Sequence, residues 1–471
     1  MKPPKTYFFR SFLTILISVC VFFLLKQLLP DKIFPEVSVK SDNIVVDSLM
    51  ILALTEENDT SAAIQIKDTV LTIADEKQGQ EITSSLQEET KATGLDHFFK
   101  KLYQLEQTKK GRVRVAYFGD SMTEGDLIVQ DIRKNYQAKY GGEGVGFIPI
   151  SLLTPPQSIS LKHDYSENWI TYSFLKKSPV PVGVSGFTSF APDSTANWVH
   201  FHAGSCPLTQ SSLLYGKSEN DSAFLQIISG GDTLSPVRLY PDKDLNTVAI
   251  NPVNNDLLIK FHHTDSIPFY GINFANRQGV YIDNFSTRGN SGLPLSVFNI
   301  PLMKAFQKEL QYDLIVLQYG TNVLNSKRKD YGWYAKRMTT TVNHLKRCFP
   351  EASILIASVA DKSAKYGTEM KTDSAIIPLI ESQKAYASGT GSGFLNLFEL
   401  MGGEGSMVEW VEQDPPLAAK DYTHLSSKGA KKMADLIFKE LEKEYEAFKT
   451  EQELSDSVNN VQDDQEQNEN K

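Results

Sequence analysis

Residues 118–126 read FGDSMTEGD, and they follow a short apolar run at residues 113–118 that is typical of a buried strand. A helix is predicted next, over residues 126–140. Ser121 would then lie between strand and helix, at the carboxyl edge of a sheet, where ligand sites of α/β proteins form. Gly119 permits a tight turn there, and N–H groups opening the helix can face an oxyanion. Taken alone, however, an Asp-Ser pair favours a simpler interpretation, in which Ser121 only caps the helix.

A second segment, near the end of the chain, supplies the residue types that activate a serine. Asp421 and His424 stand three positions apart, just before a helix predicted over residues 426–449 that Ser426 can cap. In such a turn the carboxylate can lie beside the imidazole and orient it as a general base. The pair therefore favours a catalytic role for Ser121.

Two further segments offer hydrogen-bond donors after predicted strands. Asn322 follows the apolar run at residues 314–318, which places an amide side chain at the same sheet edge. Gly289 follows the strand predicted at residues 279–283 and can present a backbone N–H without obstruction by a side chain. Gly292 is a competing candidate for that donor.

Taken in chain order (Ser121, Gly289, Asn322 and the Asp421–His424 pair), these four segments resemble blocks I, II, III and V of the SGNH (GDSL) hydrolases. In that family the block-I serine is the nucleophile, and the aspartate and histidine of a DxxH motif complete a triad. The resemblance implies these roles for Ser121, Asp421 and His424. It also implies an oxyanion hole made of the N–H groups of Ser121 and Gly289 and the side chain of Asn322.

The resemblance covers about residues 112–146 and 281–438, with two departures. Block I reads GDSMTEGD rather than GDSL, and block III reads GTN, with Val323 where the family commonly has aspartate. Residues 140–147 and 407–410 are similar to segments of bacterial peptidoglycan O-acetylesterases and related O-acetyltransferases.

This closer resemblance implies an extracytoplasmic serine esterase that removes O-acetyl groups from a cell-envelope glycan through an acyl-serine intermediate. The implied substrate is an O-acetylated polysaccharide or peptidoglycan, and no cofactor is implied. Two alternatives stay open. An O-acetyltransferase would use the same triad with a sugar hydroxyl in place of water, and a catalytically inactive glycan-binding surface protein would keep the fold without turnover.

Strand and helix patterns alternate on both sides of a long β-rich stretch, which favours an α/β protein with a parallel sheet. The predicted fold is an SGNH-type three-layer fold interrupted by an inserted β-rich domain of the sandwich or jelly-roll kind. The predicted order is a cytoplasmic stub with a transmembrane signal anchor (1–30), a polar linker (31–95), the first hydrolase part (96–155), the inserted domain (156–278), the second hydrolase part (279–449) and an acidic disordered tail (450–471).

The amino terminus predicts a membrane anchor. Lys2, Lys5 and Arg10 accompany a mostly apolar stretch at residues 8–29, which is long enough to span a bilayer. Since no small-residue cleavage site follows, we expect an uncleaved signal anchor with the catalytic part in the periplasm or at the cell surface. A long cleaved signal peptide is the alternative, and it implies the same compartment.

Composition excludes several other functions. The 471 residues carry a net charge of −9, so a basic surface for nucleic acid is not expected. Cys20, Cys206 and Cys348 lack the spacing of redox or zinc motifs; the last two could pair or remain separate thiols. His200 and His202 share a strand face but have no carboxylate or cysteine at ligand spacing, so no metal site is predicted. The sequence gives no indication of the oligomeric state.

Overall fold

The computed structural model describes Leu16 and then residues 47–52, 94–152, 161–192, 197–204, 208, 210–275 and 278–469, with side chains as far as Leu454. The chain divides into two compact units, Met1–Ile44 and Val45–Lys471, and the second contains every element below. Apart from Leu16, the predicted signal anchor lies outside the described residues. Within the described ranges, no helix is both long and apolar enough to cross a bilayer.

The strands fall into a parallel sheet, two antiparallel sheets and one hairpin. In chain order they are β1 (Arg112–Gly119), β2 (Gly146–Ile148), β3 (Leu161–Tyr165), β4 (Ile170–Ser173), β5 (Phe187–Phe190), β6 (Asn197–Ala203), β7 (Ser211–Tyr215), β8 (Phe224–Ser229), β9 (Asp232–Thr233), β10 (Val237–Arg238), β11 (Asn246–Ile250), β12 (Asp256–His262), β13 (Phe269–Phe274), β14 (Gly279–Asn284), β15 (Leu314–Gln318), β16 (Ser353–Ala357), β17 (Ser363–Tyr366), β18 (Glu369–Thr372) and β19 (Gly393–Leu395).

The helices lie before and after the antiparallel sheets in the chain. They are α1 (Asp96–Thr108), α2 (Val129–Tyr140), α3 (Ile300–Leu310), α4 (Gly332–Cys348), α5 (Ile376–Gly389), α6 (Leu397–Met401), α7 (Ser406–Glu412) and α8 (Ser427–Glu469). Short 3₁₀ turns cover Glu124–Asp126 and Leu293–Val297.

The parallel sheet has the order β14-β1-β15-β16-β19, and every neighbouring pair is parallel. Tyr117 lies opposite Asn284, and Gly119 lies opposite Gln318. The carboxyl ends of β14, β1 and β15 therefore meet at one edge, so the loops that follow these three strands are brought together there.

Helices cover both faces of this sheet. Alternate residues of β1 point to opposite sides, with Val115 and Tyr117 in one apolar core and Ala116 and Phe118 in the other. The first core also holds buried residues of α1, α2 and α8, while the second holds those of α3, α4 and α5. Burial on both faces explains why β15, in the middle of the sheet, is apolar at every position before Gln318.

The two antiparallel sheets face each other across a third core. One has the order β11-β7-β13-β5-β4, with β2 paired to β13; the other has the order β10-β8-β12-β6-β3, with β9 paired to β8. Inward residues such as Leu213 and Ile272 meet Phe201 and Ile259 in that core. This is a sandwich, and it begins with β2, earlier than the predicted boundary at residue 156.

The structure differs from the prediction in the linker and in the tail. Within the predicted polar linker, residues 48–52 form a helical turn, and Met50 is only 7% exposed. The apolar character of this short patch provides the reason, since burying it removes apolar surface from water. The predicted disordered tail is helical, because α8 continues to Glu469. Glu and Gln recur through this part of the sequence, and both are good helix formers that can extend an existing helix.

Candidate active site

The structure brings together three side chains that the sequence separates widely. Ser121 Oγ lies 3.0 Å from His424 Nε2, and His424 Nδ1 lies 2.7 Å from Asp421 Oδ2. Both are hydrogen-bonding distances. A hydroxyl, an imidazole and a carboxylate are thus arranged in series, so the imidazole can take the hydroxyl proton while the carboxylate stabilises the resulting positive charge.

The turn that carries Asp421 and His424 is held by its own backbone. Asp421 Oδ1 accepts hydrogen bonds from the N–H groups of Thr423 and His424, both at 3.0 Å. Although partial burial opposes ionisation, these bonds and the His424 ring together hold the pKa of Asp421 below its ordinary value. Ser426 Oγ accepts from Gly429 N at 3.2 Å, which confirms the predicted cap of α8.

The loop that carries Ser121 differs from the predicted strand-to-helix step. The helix begins at Val129 rather than at residue 126, and a 3₁₀ turn precedes it. Gly125 and Ile128 have positive φ angles of 71° and 65°, which interrupt a regular helix. Ser121 therefore lies in a loop, and the N–H groups near it belong to that loop rather than to the start of α2.

Asp120 is buried directly beside Ser121. Its Oδ1 accepts from Met122 N at 2.9 Å, and its side chain is 1% exposed. Burial raises the pKa of Asp120 to about 6, although hydrogen bonds from Met122 and Thr321 and the charge of His424 favour the carboxylate. Since Thr321 directly precedes Asn322, Asp120 also connects the serine loop to the loop after β15.

Asn322 contacts residues 289–292, here called the Gly289 segment. The contact forms because the loops after β14 and β15 lie at the same edge of the sheet. Asn322 Nδ2 donates to the backbone oxygen of Asn290 at 3.0 Å. Gly292 N already donates to Asn290 Oδ1 at 2.9 Å. A Cβ at Gly292 would lie 2.8 Å from the Tyr319 ring, so this glycine serves close packing. Gly289, with a φ of 76°, is the better candidate for a donor to an oxyanion.

Sequence reasoning missed an ion pair next to these loops. Arg288 donates through its backbone N and its Nε to Glu124, at 3.1 and 2.5 Å. Glu124 lies three residues after Ser121, and Arg288 directly precedes Gly289. The pair thus ties the serine loop to the Gly289 segment. Only the pairing of β1 with β14 reveals this contact, because the two residues are far apart in the chain.

The histidine pair on β6 does have a carboxylate neighbour. Asp256, opposite His202 on β12, lies 2.9 Å from His200 Nε2 and 3.2 Å from His202 Nδ1. Even so, across the described ranges no group of three or more His, Cys, Asp or Glu side chains is arranged to hold a metal ion. Cys348 is a free, buried thiol, and Cys206 lies outside the described residues. Burial raises the pKa of the Cys348 thiol to about 12.

Comparison with solved structures defines the fold. The chain is similar to a peptidoglycan O-acetylesterase, with a TM-score of 0.61 and 20% sequence identity, over 74% of this chain and 96% of the other. It also matches a family two carbohydrate esterase from Clostridium thermocellum, at a TM-score of 0.26 and 12% identity, over 60% and 98% of the two chains. The second score is too low to support an argument. No family model and no curated protein matches the sequence.

The molecule is a mixed α/β protein with a parallel sheet and added antiparallel sheets. More particularly, its fold is similar to that of the peptidoglycan O-acetylesterase, which confirms at the level of the fold the resemblance to such esterases inferred from the sequence.

Proposed function

We propose that this chain is an SGNH-type serine esterase that removes O-acetyl groups from a cell-envelope glycan. The observation that carries the proposal is the series of contacts from Ser121 through His424 to Asp421, at 3.0 and 2.7 Å. Similarity in fold to a peptidoglycan O-acetylesterase supports the choice of an acetylated glycan as the substrate.

The proposed reaction is acyl transfer in two steps. His424 Nε2 takes the Ser121 proton, and the Ser121 oxygen attacks the ester carbonyl carbon. Asp421 holds the tautomer of His424 that leaves Nε2 free to accept this proton. When the tetrahedral intermediate collapses, the bond to the sugar oxygen breaks and His424 donates its proton to that oxygen. Water, deprotonated by His424, then attacks the acyl-serine, which releases acetate and restores the Ser121 hydroxyl.

Three donors are assigned to the oxyanion of the intermediate. They are the backbone N–H groups of Ser121 and Gly289 and the side-chain amide of Asn322. An amide nitrogen carries two hydrogens, so Asn322 Nδ2 can donate one to Asn290 and direct the other into the pocket. Donors held in place before reaction stabilise developing charge without the cost of reorganising water.

The first experiment compares wild-type protein with Ser121→Ala in the hydrolysis of p-nitrophenyl acetate. The variant is expected to lose at least about a thousandfold in kcat, because no acyl-serine can form. Ser388→Ala, an exposed serine on α5, is the matched control and should keep wild-type turnover. If wild type and Ser121→Ala were equally inactive while glycan binding persisted, the protein would be an inactive glycan-binding protein instead.

The second experiment identifies substrate and acceptor. Purified protein is incubated with O-acetylated peptidoglycan and with O-acetylated xylan, and released acetate is measured. Preferred release from peptidoglycan supports the proposed substrate, and preference for xylan contradicts it. Acetate transferred to an added unacetylated glycan, with little free acetate, would make the protein an O-acetyltransferase. Hydrolysis and acetyl transfer differ only in whether water or a sugar hydroxyl attacks the acyl-serine.

We also propose that the protein is anchored in a membrane by residues 8–29, with its catalytic part outside the cytoplasm. The support is the length and apolar character of that stretch and its basic flank. After cell fractionation, the full chain should stay with membranes through an alkaline wash and should enter solution only with detergent. When the layers outside the cytoplasmic membrane are made permeable and that membrane stays intact, added protease should digest the catalytic part. Recovery in the soluble cytoplasmic fraction would contradict the proposal.

A further inference from the structure

A short amino-terminal segment packs against the loop that carries the proposed oxyanion donors. Residues 47–52, here called the strap, consist of Asp47 and one helical turn. Asp47 Oδ1 accepts hydrogen bonds from Leu49 N at 2.9 Å and Met50 N at 3.2 Å, as an N-cap does. Met50 is buried in the core shared with α3, α4 and α5. The strap is therefore part of the folded domain.

The second oxygen of the Asp47 carboxylate reaches the Gly289 segment. Asp47 Oδ2 accepts hydrogen bonds from Ser291 N, at 3.1 Å, and from Ser291 Oγ. Asp47 is 1% exposed and Ser291 is 0% exposed. Burying a carboxylate is costly unless hydrogen bonds replace its water, and these donors supply that replacement. Losing the carboxylate would leave the buried Ser291 N–H without its acceptor.

Ser291 is one peptide away from the contact that orients Asn322. The backbone oxygen of Asn290 accepts from Asn322 Nδ2 at 3.0 Å, and Asn290 Nδ2 donates to Tyr319 Oη at 3.2 Å. Gly289 directly precedes Asn290. A shift of Ser291 would thus move both the carbonyl that holds Asn322 and the N–H of Gly289. Errors of about 1 Å in such groups are enough to lower turnover strongly.

We propose that Asp47 is a positioning residue, which fixes the loop at residues 289–292 so that the donors of Gly289 and Asn322 meet the oxyanion. This inference rests on the proposed esterase function, since it concerns the donors assigned there. Asp47 itself is negatively charged and so cannot stabilise an oxyanion directly. Asp47 contributes by holding the loop at residues 289–292 in position.

The test uses the full chain with two changes at Asp47. Asp47→Ala removes every hydrogen bond of the carboxylate. Asp47→Asn keeps the acceptor facing Leu49 and Met50 but turns an amide donor toward Ser291 N, and it is the variant to use if Asp47→Ala fails to fold. Ser48→Ala is the matched control. It removes the 3.1 Å bond from Ser48 Oγ to the backbone oxygen of Leu175, within the same strap but away from Ser291.

Two readouts are measured well below the unfolding temperature of each variant. In p-nitrophenyl acetate hydrolysis, both Asp47 variants are expected to lose about tenfold or more in kcat with little change in KM, because the donors act mainly in the transition state. In hydrogen exchange, the amides of residues 287–293 should exchange faster in these variants than in wild type. Ser48→Ala should match wild type in both measurements.

A double variant separates positioning from general loss of stability. If Asp47 acts through Asn322, then Asp47→Ala should lower kcat much less in an Asn322→Ala background than in wild type, because the positioned amide is already missing. Equal losses in both backgrounds would overturn the positioning of Asn322 by Asp47.

The outcomes distinguish this inference from the proposed function. If the amides of residues 287–293 exchange as slowly in the Asp47 variants as in wild type, the strap does not order the loop. This conclusion holds whatever the activity. Faster exchange with wild-type kcat overturns the role in the reaction while the esterase stands. A wild-type protein without turnover that depends on Ser121 overturns the esterase and the catalytic part of the inference, and the exchange data still decide whether Asp47 orders the loop.

Discussion

Asp120 is a carboxylate placed where ionisation is unfavourable, directly beside the proposed nucleophile. Burial raises its pKa to about 6. His424, Met122 and Thr321 favour the charged form but do not fully offset the loss of water. Near neutral pH the group is therefore mostly charged. Protonation of Asp120, the residue next to the proposed nucleophile, therefore affects the free energy of unfolding.

Asp120→Asn should change how stability depends on pH. The folded-state pKa of about 6 lies above the ordinary 3.8, so the folded protein holds this proton more tightly than the unfolded chain. Stability from this group is complete below the ordinary pKa and is lost as pH rises through 6. From pH 4 to pH 7, the unfolding free energy of wild type relative to Asp120→Asn should fall by roughly 2–3 kcal/mol.

Urea unfolding followed by circular dichroism at several pH values measures this difference. Asparagine keeps an acceptor for Met122 N, so the loop itself should be retained. If the two proteins differed by a constant amount across this range, Asp120 would not have a raised pKa.

Among the elements, the end of β1 sets the path of the serine loop. Gly119 lies at the last position of the strand, where a Cβ would come within 2.2 Å of Thr123 Oγ1 and 2.9 Å of Ser286 Oγ. Thr123 Oγ1 also donates to Ser286 Oγ at 2.7 Å. The loop after β1 therefore folds back onto its own strand and onto the loop after β14, and only glycine leaves room for that approach.

Gly119→Ala is expected to displace the loop that carries Ser121. Overpacking should lower stability by about 1–3 kcal/mol and reduce kcat, since the serine moves relative to His424. Adding Thr123→Ala to Gly119→Ala removes the closest clashing atom. The double variant should therefore recover part of the stability and part of the kcat that Gly119→Ala loses. Thermal unfolding and ester hydrolysis supply the two measurements.

Gly389→Ala is the control for that substitution. Gly389 lies at the end of α5, and no atom lies within 4 Å of the Cβ that alanine would add. Alanine there should be neutral or stabilising by up to about 1 kcal/mol. Comparable damage from both substitutions would show that steric contact at Gly119 is not the cause.

At the scale of the whole molecule, a buried ion pair within the parallel sheet extends by hydrogen bonds to the sandwich. Arg114 on β1 donates to both carboxylate oxygens of Asp283 on β14, at 2.8 and 3.0 Å, and to Asn273 Oδ1 on β13 at 2.8 Å. Asp283 also accepts from Phe147 N and from Tyr312 Oη, at 2.9 and 2.6 Å. Both charged side chains are fully buried. The inserted sheets are thus attached through a polar network as well as by apolar contact.

Asp283→Ala should be among the most destabilising single changes in the protein. It leaves the Arg114 guanidinium buried without its carboxylate, which typically costs about 3–5 kcal/mol. Replacing both residues together, with Arg114→Met and Asp283→Ala, should recover part of that loss because no charge remains buried. Denaturant unfolding measures each value.

Asp435→Ala provides the comparison for that ion pair. Asp435 pairs with Lys431 on the surface of α8, where the two side chains are 38% and 58% exposed, and it also accepts a hydrogen bond from Asn135 Nδ2 at 2.9 Å. Removing a surface ion pair typically costs less than about 1 kcal/mol. If Asp283→Ala cost no more than Asp435→Ala, the buried ion pair would not be a major determinant of stability.

Much of the architecture could be predicted because its signals are local. The apolar run at residues 314–318 matched β15, and the cap at Ser426 followed from one residue and its neighbours. The start of α2 was predicted three residues too early. Positive φ angles at Gly125 and Ile128 interrupt the helix there. Glycine adopts such angles readily, but no residue pattern announces the one at Ile128.

The sequence by itself determined which residue types stand after which strands, and the order of its blocks nominated Ser121, Gly289, Asn322, Asp421 and His424. Only the tertiary structure decided that Asp47 reaches Ser291, that Arg288 pairs with Glu124, and that Arg114 meets Asp283. The physical reason is the distance along the chain over which each kind of signal acts. Periodicity and capping act between residues close in the chain, whereas these pairs depend on how strands align and which surfaces pack together.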